Sequence, residues 1–338
     1  MSGPVSALVV QVTSSAEFAQ STMSFAAPLL FAALGALVSQ RVGVFNVGIE
    51  GFMTAGAFFA AAATYYTGSP WLGLLAAIVA GALLGLVMAF CVFALGGDEV
   101  VVGLGISTAC SGLAAYLLLV VFDREKALIS PKIHTLPKVD LPVVRDIPVL
   151  GGIVNGHSVL AYVSLACVAV VAYVLRRTSF GLGVRCIGES PEAAASAGVR
   201  VERTRYLVFV LSGVLAAVGG AQVSIGYLRL FQEGMTAGQG FIALSASVAG
   251  AAVPVLVLAA VLVFAAARAV AVVLVTSSVP PQFVQMVPYA MAIAAIVLIA
   301  LVRRARQRRR SFALRATRPE DQRPPSHVAP GVTAPSAE

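Results

Sequence analysis

Charge is what this sequence has least of. Only 11% of its 338 residues are Asp, Glu, Lys or Arg, against about one quarter in soluble domains. With 59% hydrophobic residues and a mean hydropathy of +0.92, the chain has too little polar surface for an ordinary soluble fold. Lysine is scarcer still, confined to Lys126, Lys132 and Lys138. There is no G-x4-G-K-[ST] loop to carry a lysine to nucleotide phosphates, so this chain does not itself hydrolyse ATP by that chemistry. His134, His157 and His327 are scattered, without HExxH or a carboxylate cluster. No catalytic group and no metal site emerge, and enzyme activity is not expected. Cys91, Cys110, Cys167 and Cys186 have no paired spacing, which argues against a disulfide framework or a metal centre. Residues 1–20 lack a basic n-region, so a cleavable signal peptide is not expected.

What is present is long apolar runs. A helix rising ~1.5 Å per residue needs ~20 residues to cross the hydrocarbon layer, and several runs reach that length. The apolar/polar alternation of a membrane β-barrel is absent. The fold class expected is all-α, a polytopic membrane protein with about nine crossings (eight to ten). They fall at 22–39, 46–66, 70–95, 100–122, 157–175, 205–226, 238–255, 257–275 and 286–302, after a short N-terminal segment at 1–21. The net charge of +8 is concentrated at one end: nine arginines from Arg303 onward against Glu320, Asp321 and Glu338 give that end +6. It reads as a tail held in the cytoplasm by the positive-inside rule, and nucleic acid is not implied as a partner. Residues 303–338 are proline-rich and expected to be disordered. Arg176, Arg177, Arg185, Arg200, Arg203 and Arg205 mark residues 176–204 as a second cytoplasmic segment. Four crossings separate the two basic regions, so both fall on one side. The N-terminus is then outside, the C-terminus cytoplasmic, and 123–156 an ordered extracytoplasmic loop. Small-residue runs such as GALLG at 81–85 allow close helix approach in a bilayer, and plain packing suffices to explain them.

The stretch GESPEAAASAG, residues 188–198, interrupts this pattern. Ser190 is a good N-cap, Pro191 suits the first helical position, and Glu192 suits the positive end of the helix dipole. Alanines 193–195 and 197 favour helix, and Gly198 can take the left-handed cap. The helix predicted over 191–197 is ~10 Å long at ~1.5 Å per residue, too short to span lipid, so it belongs on the cytoplasmic surface. The spacing Glu192-Ala193-Ala194, three residues, Gly198 resembles the EAA-x3-G loop of ATP-binding-cassette (ABC) importer permeases. The family's downstream I-x-L-P is replaced by LVFVLSG at 207–213, which points to the branched-chain amino acid, ribose and nucleoside branch.

Further stretches resemble that branch in the same order. They are VGVFNVGIEGFMTAGAFFA (42–60), TGSPWLGLLAAIVAGALLG (67–85), GDEVVVGLGIS (97–107), GYLRLFQEGMTAGQGFIALSASVAG (226–250) and VPPQFVQMVPYAMAI (279–293). The resemblance covers roughly 25–302 and is strongest to nucleoside permeases, with simple-sugar permeases next. One departure is the turn Gly250-Ala251-Ala252-Val253-Pro254, which keeps the family's proline without its polar residues and puts a second contact with the ATPase in doubt. The resemblance implies a multi-pass subunit of a bacterial cell membrane, forming half of a pathway for a nucleoside or related solute. It implies coupling to an ABC ATPase through Glu189, Ser190, Pro191, Glu192, Ala193, Ala194 and Gly198. The ATPase, not this chain, would bind ATP and Mg. A second permease subunit, in a heterodimer, and a solute-binding lipoprotein would complete the assembly.

Ionisable groups at membrane depth are costly and mark functional candidates. Asn46 and Glu50, four apart, are expected on one face of the second crossing near its cytoplasmic end. They make either a gate or an interhelical hydrogen-bond pair lining the path, or Glu50 is interfacial and solvated, or capped by a neighbouring helix. Arg268 can snorkel outward, pair with a carboxylate such as Glu233, or face a water-filled path; structural pairing is favoured. Tyr65, Tyr66 and Trp71 suit an interfacial aromatic belt. Ser107, Thr108, Ser111, Gln222, Ser224, Ser245 and Ser247 could escort a polyhydroxylated solute or simply pack helices. A secondary transporter or channel is the alternative of another class, expected to place charges and broken helices at the midplane. An intramembrane enzyme lacks catalytic candidates.

Overall fold

A computed structural model of the chain describes residues 16–123, 127–139 and 156–275. The basic tail (303–338), the crossing expected at 286–302, the stretch 279–293 and much of the loop expected at 123–156 lie outside these residues. The helices are α1 (Ala16–Arg41), α2 (Ile49–Thr67), α3 (Pro70–Ala89, continued by a π-helical turn Phe90–Ala94), α4 (Glu99–Phe122), α5 (Val159–Arg177), α6 (Ser179–Glu189), α7 (Pro191–Ser196), α8 (Val201–Ala221, continued by the π-helical segment Gln222–Leu228), α9 (Gln239–Ala249) and α10 (Pro254–Val275). Four short strands are added: β1 (Ala127–Ile129), β2 (Lys138–Val139), β3 (His157–Ser158) and β4 (Leu230–Gln232). The strands pair antiparallel, β1 with β4 and β2 with β3. Among the described residues, six helices are long and apolar enough to cross a membrane: α1, α3, α4, α5, α8 and α10.

The two ends of the bundle differ in chemistry. Arg41, Arg176, Arg177 and Arg185 sit on α1, α5 and α6 where those helices meet, and Arg41 Nε donates to the Ala252 carbonyl at 2.8 Å. Opposite this basic end, the strands cover the tops of α5 and α8. There Leu136 N–H bonds the Ile225 carbonyl at 3.1 Å. The central helix α2 is buried along nearly its whole length, which explains why its composition is alanine-rich rather than oily: it faces other helices, not lipid. The expectation for GALLG holds in its plain form. A Cβ on Gly81 would lie 2.5 Å from the Gly213 carbonyl oxygen, so only glycine lets α3 approach α8 this closely. By contrast, α3 and α4 present Leu75, Leu83, Val101, Leu113 and Val120 outward, as lipid-facing helices do.

Two expected crossings are not continuous helices. The stretch 46–66 is expected to be helical from its start, yet residues 44–46 have no regular structure, 47–48 form a turn and α2 begins only at Ile49. After Arg41 the chain turns and climbs back along α4: Phe45 N–H reaches Glu99 Oε1 at 3.3 Å and Gly51 N–H reaches Ser107 Oγ at 3.2 Å. Likewise 238–255, expected as one full span, contains an α9 of 11 residues. At ~1.5 Å per residue that is ~16 Å, about half a bilayer core. Gly238 (φ +74°) and Ala237 (φ +45°) hold the left-handed backbone that starts α9 so late.

Candidate functional site

Helix α7 is built as the local chemistry dictates. The Ser190 hydroxyl accepts from Ala193 N–H at 3.2 Å, and Pro191 occupies the first turn. The helix ends at Ser196, one residue short of the predicted 197, and Gly198 takes φ +82° to let the chain turn away. Within the helix only Ala194 is buried, at 2% exposure, in the same cluster as Ile187 and Val184. Glu189, Pro191, Glu192, Ala193 and Gly198 are exposed or nearly so. The segment is thus pinned by one alanine and presents the rest of its surface, with two carboxylates, at the basic end of the bundle.

Inside the bundle, Glu50 is the organising group. Its Oε1 accepts from Thr236 Oγ1 at 2.6 Å and from Gly238 N–H at 3.0 Å, and its Oε2 accepts from Gly240 N–H at 2.7 Å. The carboxylate of α2 therefore satisfies the unpaired backbone donors at the start of α9, the position where a negative group is also favoured by the helix dipole. Thr54, one turn along α2, bonds Thr236 at 3.2 Å. The site lies at the start of α2, with Glu50 in the first turn of that helix. Gly51 contacts Ser107, eight residues and hence ~12 Å along α4. Irregular backbone at this depth is tolerated only where protein satisfies it, and Glu50 does that here.

Asn46 does not share a helical face with Glu50. It precedes α2, accepting from Gly48 N–H at 3.0 Å and donating to Ser212 Oγ at 2.8 Å. It shapes the turn into α2 and ties it to α8. Arg268 lies toward the strand end, its guanidinium 5.4 Å above the Phe25 ring; Phe25 in turn meets Tyr227 edge-on at 6.1 Å. The structure thus gathers Glu189–Gly198 in one surface element and leaves Asn46, Glu50 and Arg268 in three separate settings. Sequence reasoning missed Thr236, Gly238 and Gly240 as partners of Glu50. The signal was available in TAGQG, residues 236–240, a Thr- and Gly-rich start to an apolar run that reads as a helix N-terminus in search of an acceptor.

Residues 18–301 match the protein family described as branched-chain amino acid transport system / permease component. The chain belongs to this permease family. Relatives agree. The guanosine ABC transporter permease protein NupQ of Bacillus subtilis is 33% identical over 81% of this chain and 89% of its own. The nucleoside ABC transporter permease protein NupC of Lactococcus lactis is also 33% identical, over 81% and 89%. The glucose ABC transporter permease protein TsgB13 of Haloferax volcanii is 26% identical over 67% of this chain and 61% of its own. As a permease, the chain is a multi-pass membrane transport protein and not an enzyme. ATP and Mg chemistry in such systems belongs to the ATPase subunit.

Proposed function

We propose that this permease forms half of the translocation pathway of an ABC importer for a nucleoside, and that its ATPase partner grips α7. The observation that carries the reading is the exposed, capped α7 at the arginine-rich end. It is too short to serve the bilayer and is anchored to the bundle by Ala194 alone among its side chains. By the positive-inside rule that end is cytoplasmic. Closure of the ATPase dimer would push on Glu189, Ser190, Pro191, Glu192, Ala193, Ala194 and Gly198, and α6 would pass the displacement to α1 and α5. The names of NupQ and NupC support nucleoside as the solute class, and TsgB13 keeps a simple sugar as the second reading.

On this reading the described residues hold eight of nine crossings once interruptions are counted. Residues 42–48 with α2 make the second, and β4, residues 233–238 and α9 make the seventh. The ninth, expected from sequence at 286–302, lies outside the described residues; on this reading it returns the tail to the basic side, with the N-terminus outside. A single copy is half a pathway, so a second permease subunit in a heterodimer and an extracytoplasmic solute-binding lipoprotein complete the assembly. Asn46 and Glu50 serve the pathway by fixing the interrupted helices rather than by touching solute, and Arg268 serves packing at the outer end. The test is reconstitution with and without the ATPase. Uptake should require the ATPase and ATP; uptake by this chain alone on an ion gradient would overturn the proposal in favour of a secondary transporter.

A further inference from the structure

A polar cavity of about 260 Å³ opens at the strand end, among Gln20, Ser21 and Ser24 of α1, Ser158, and Gln222 and Tyr227 of the π-helical segment. Its size sits just below the ~300–1,000 Å³ of drug-sized sites, which suits a sugar ring. Gln222 carries the inference. It is 3% exposed, and its Oε1 accepts from Ser158 Oγ at 2.9 Å. Among the described residues its amide nitrogen has no acceptor. That nitrogen borders the cavity, where it can donate to a ligand oxygen. The seat of the amide is made by Gly226, where a Cβ would overlap Gln222 Oε1 and lie 3.2 Å from Nε2. Gln222–Leu228 winds as a π-helix, a rare conformation frequently found at functional sites.

The lining explains what would bind. Among the described residues its lining holds, besides the His157 imidazole, one cation, Lys138, and no carboxylate, which offers a cationic solute no counter-charge from these side chains. Hydroxyls of Ser21 and Ser24, amides of Gln20 and Gln222 and the Tyr227 ring suit a neutral ring bearing several hydroxyls. We propose that this cavity is a sugar-ring subsite that receives the ribosyl portion of a nucleoside, or a free pentose, before it crosses. The proposal rests on the reading that the strand end faces outward.

The test uses the full permease–ATPase complex in proteoliposomes carrying Ser21→Cys, with the wild-type chain's labelling as background. A membrane-impermeant maleimide applied outside should label the introduced thiol, and guanosine should slow that labelling while leucine does not. Ribose protection equal to that of guanosine assigns the sugar ring alone as the recognised group; protection by guanosine only assigns the whole nucleoside. Adding Gln222→Leu should leave labelling intact and raise the half-protecting concentration about tenfold, equivalent to about 1.4 kcal/mol. If Gln222→Leu fails to insert, Ser158→Ala, which releases the amide, takes its place with the same expected direction. Outside labelling that neither guanosine nor ribose slows, or protection indifferent to both variants, overturns the subsite and leaves the topology standing. Labelling from the inside only overturns the topology and the subsite with it.

Discussion

Replacing Glu50 by glutamine removes one acceptor and nothing else of size. The carboxylate takes three hydrogen bonds, from Thr236 Oγ1, Gly238 N–H and Gly240 N–H, at 2.6, 3.0 and 2.7 Å. In either orientation the new amide places an NH2 against a backbone N–H: against Gly240 if it replaces Oε2, against Gly238 if it replaces Oε1. One helix-start donor is orphaned at ~1–3 kcal/mol, and the remaining bonds fall from the ~1.5–3 kcal/mol of a charged acceptor to the ~0.5–1.5 of a neutral one. Interhelical bonds within membranes average only ~0.6 kcal/mol because the separated helices find other partners. Three bonds at that value set a floor near ~2 kcal/mol, and the aqueous values set a ceiling near ~4. Glu50→Gln should therefore lower the thermal midpoint of the purified permease by roughly 4 °C or more, taking ~2 °C per kcal/mol. A cycle with Thr236→Val should be non-additive by about 1 kcal/mol, since the two groups share a bond. ATP-driven uptake should fall while ATPase co-purification stays normal, because α7 is untouched. A Glu50→Gln permease that melts and transports like the wild type, with additive Thr236→Val, would refute the clamp.

Other outcomes follow from the same structure. Gly81→Val should abolish stable insertion, because even one Cβ overlaps the Gly213 carbonyl and overpacking costs ~1–3 kcal/mol or more; expression followed by fluorescence-detected size exclusion checks it. Ser190→Ala should weaken α7 by about 1 kcal/mol, seen as faster proteolysis at 191–197 with uptake reduced rather than lost. Gly198→Pro should uncouple ATP hydrolysis from uptake while leaving insertion intact, since proline cannot adopt φ +82°. Gly198→Ala, whose cost there is only ~1 kcal/mol, should retain most transport.

Local chemistry made α7 readable to within one residue, because Ser190, Pro191 and Gly198 each impose a specific backbone state at the positions they occupy. The lipid-facing helices were equally legible, as hydropathy reports contact with lipid directly. The interrupted crossings were not. Val42–Gly48 is as apolar as a helix, and its irregular path is held by Glu99 and Ser212 on other helices, which accept from Phe45 N–H and the Asn46 amide. The role of Glu50 was open for the same reason. Capping by a neighbouring helix was among the settings open to that residue, but its partners lie nearly 190 residues away in sequence, and no local spacing connects them. Gln222 was one neutral group among seven; burial and the space left by Gly226 distinguish it, and neither is visible in one dimension.

The most direct test of the account is whether residue 192 touches the motor. With Glu192→Cys in the intact complex, a short thiol-to-amine crosslinker should join the permease to the ATPase subunit, and the crosslinked complex should lose ATP-driven uptake. A thiol at that position that instead reacts in sealed cells with impermeant reagents applied outside, and never crosslinks to the ATPase, would contradict the account.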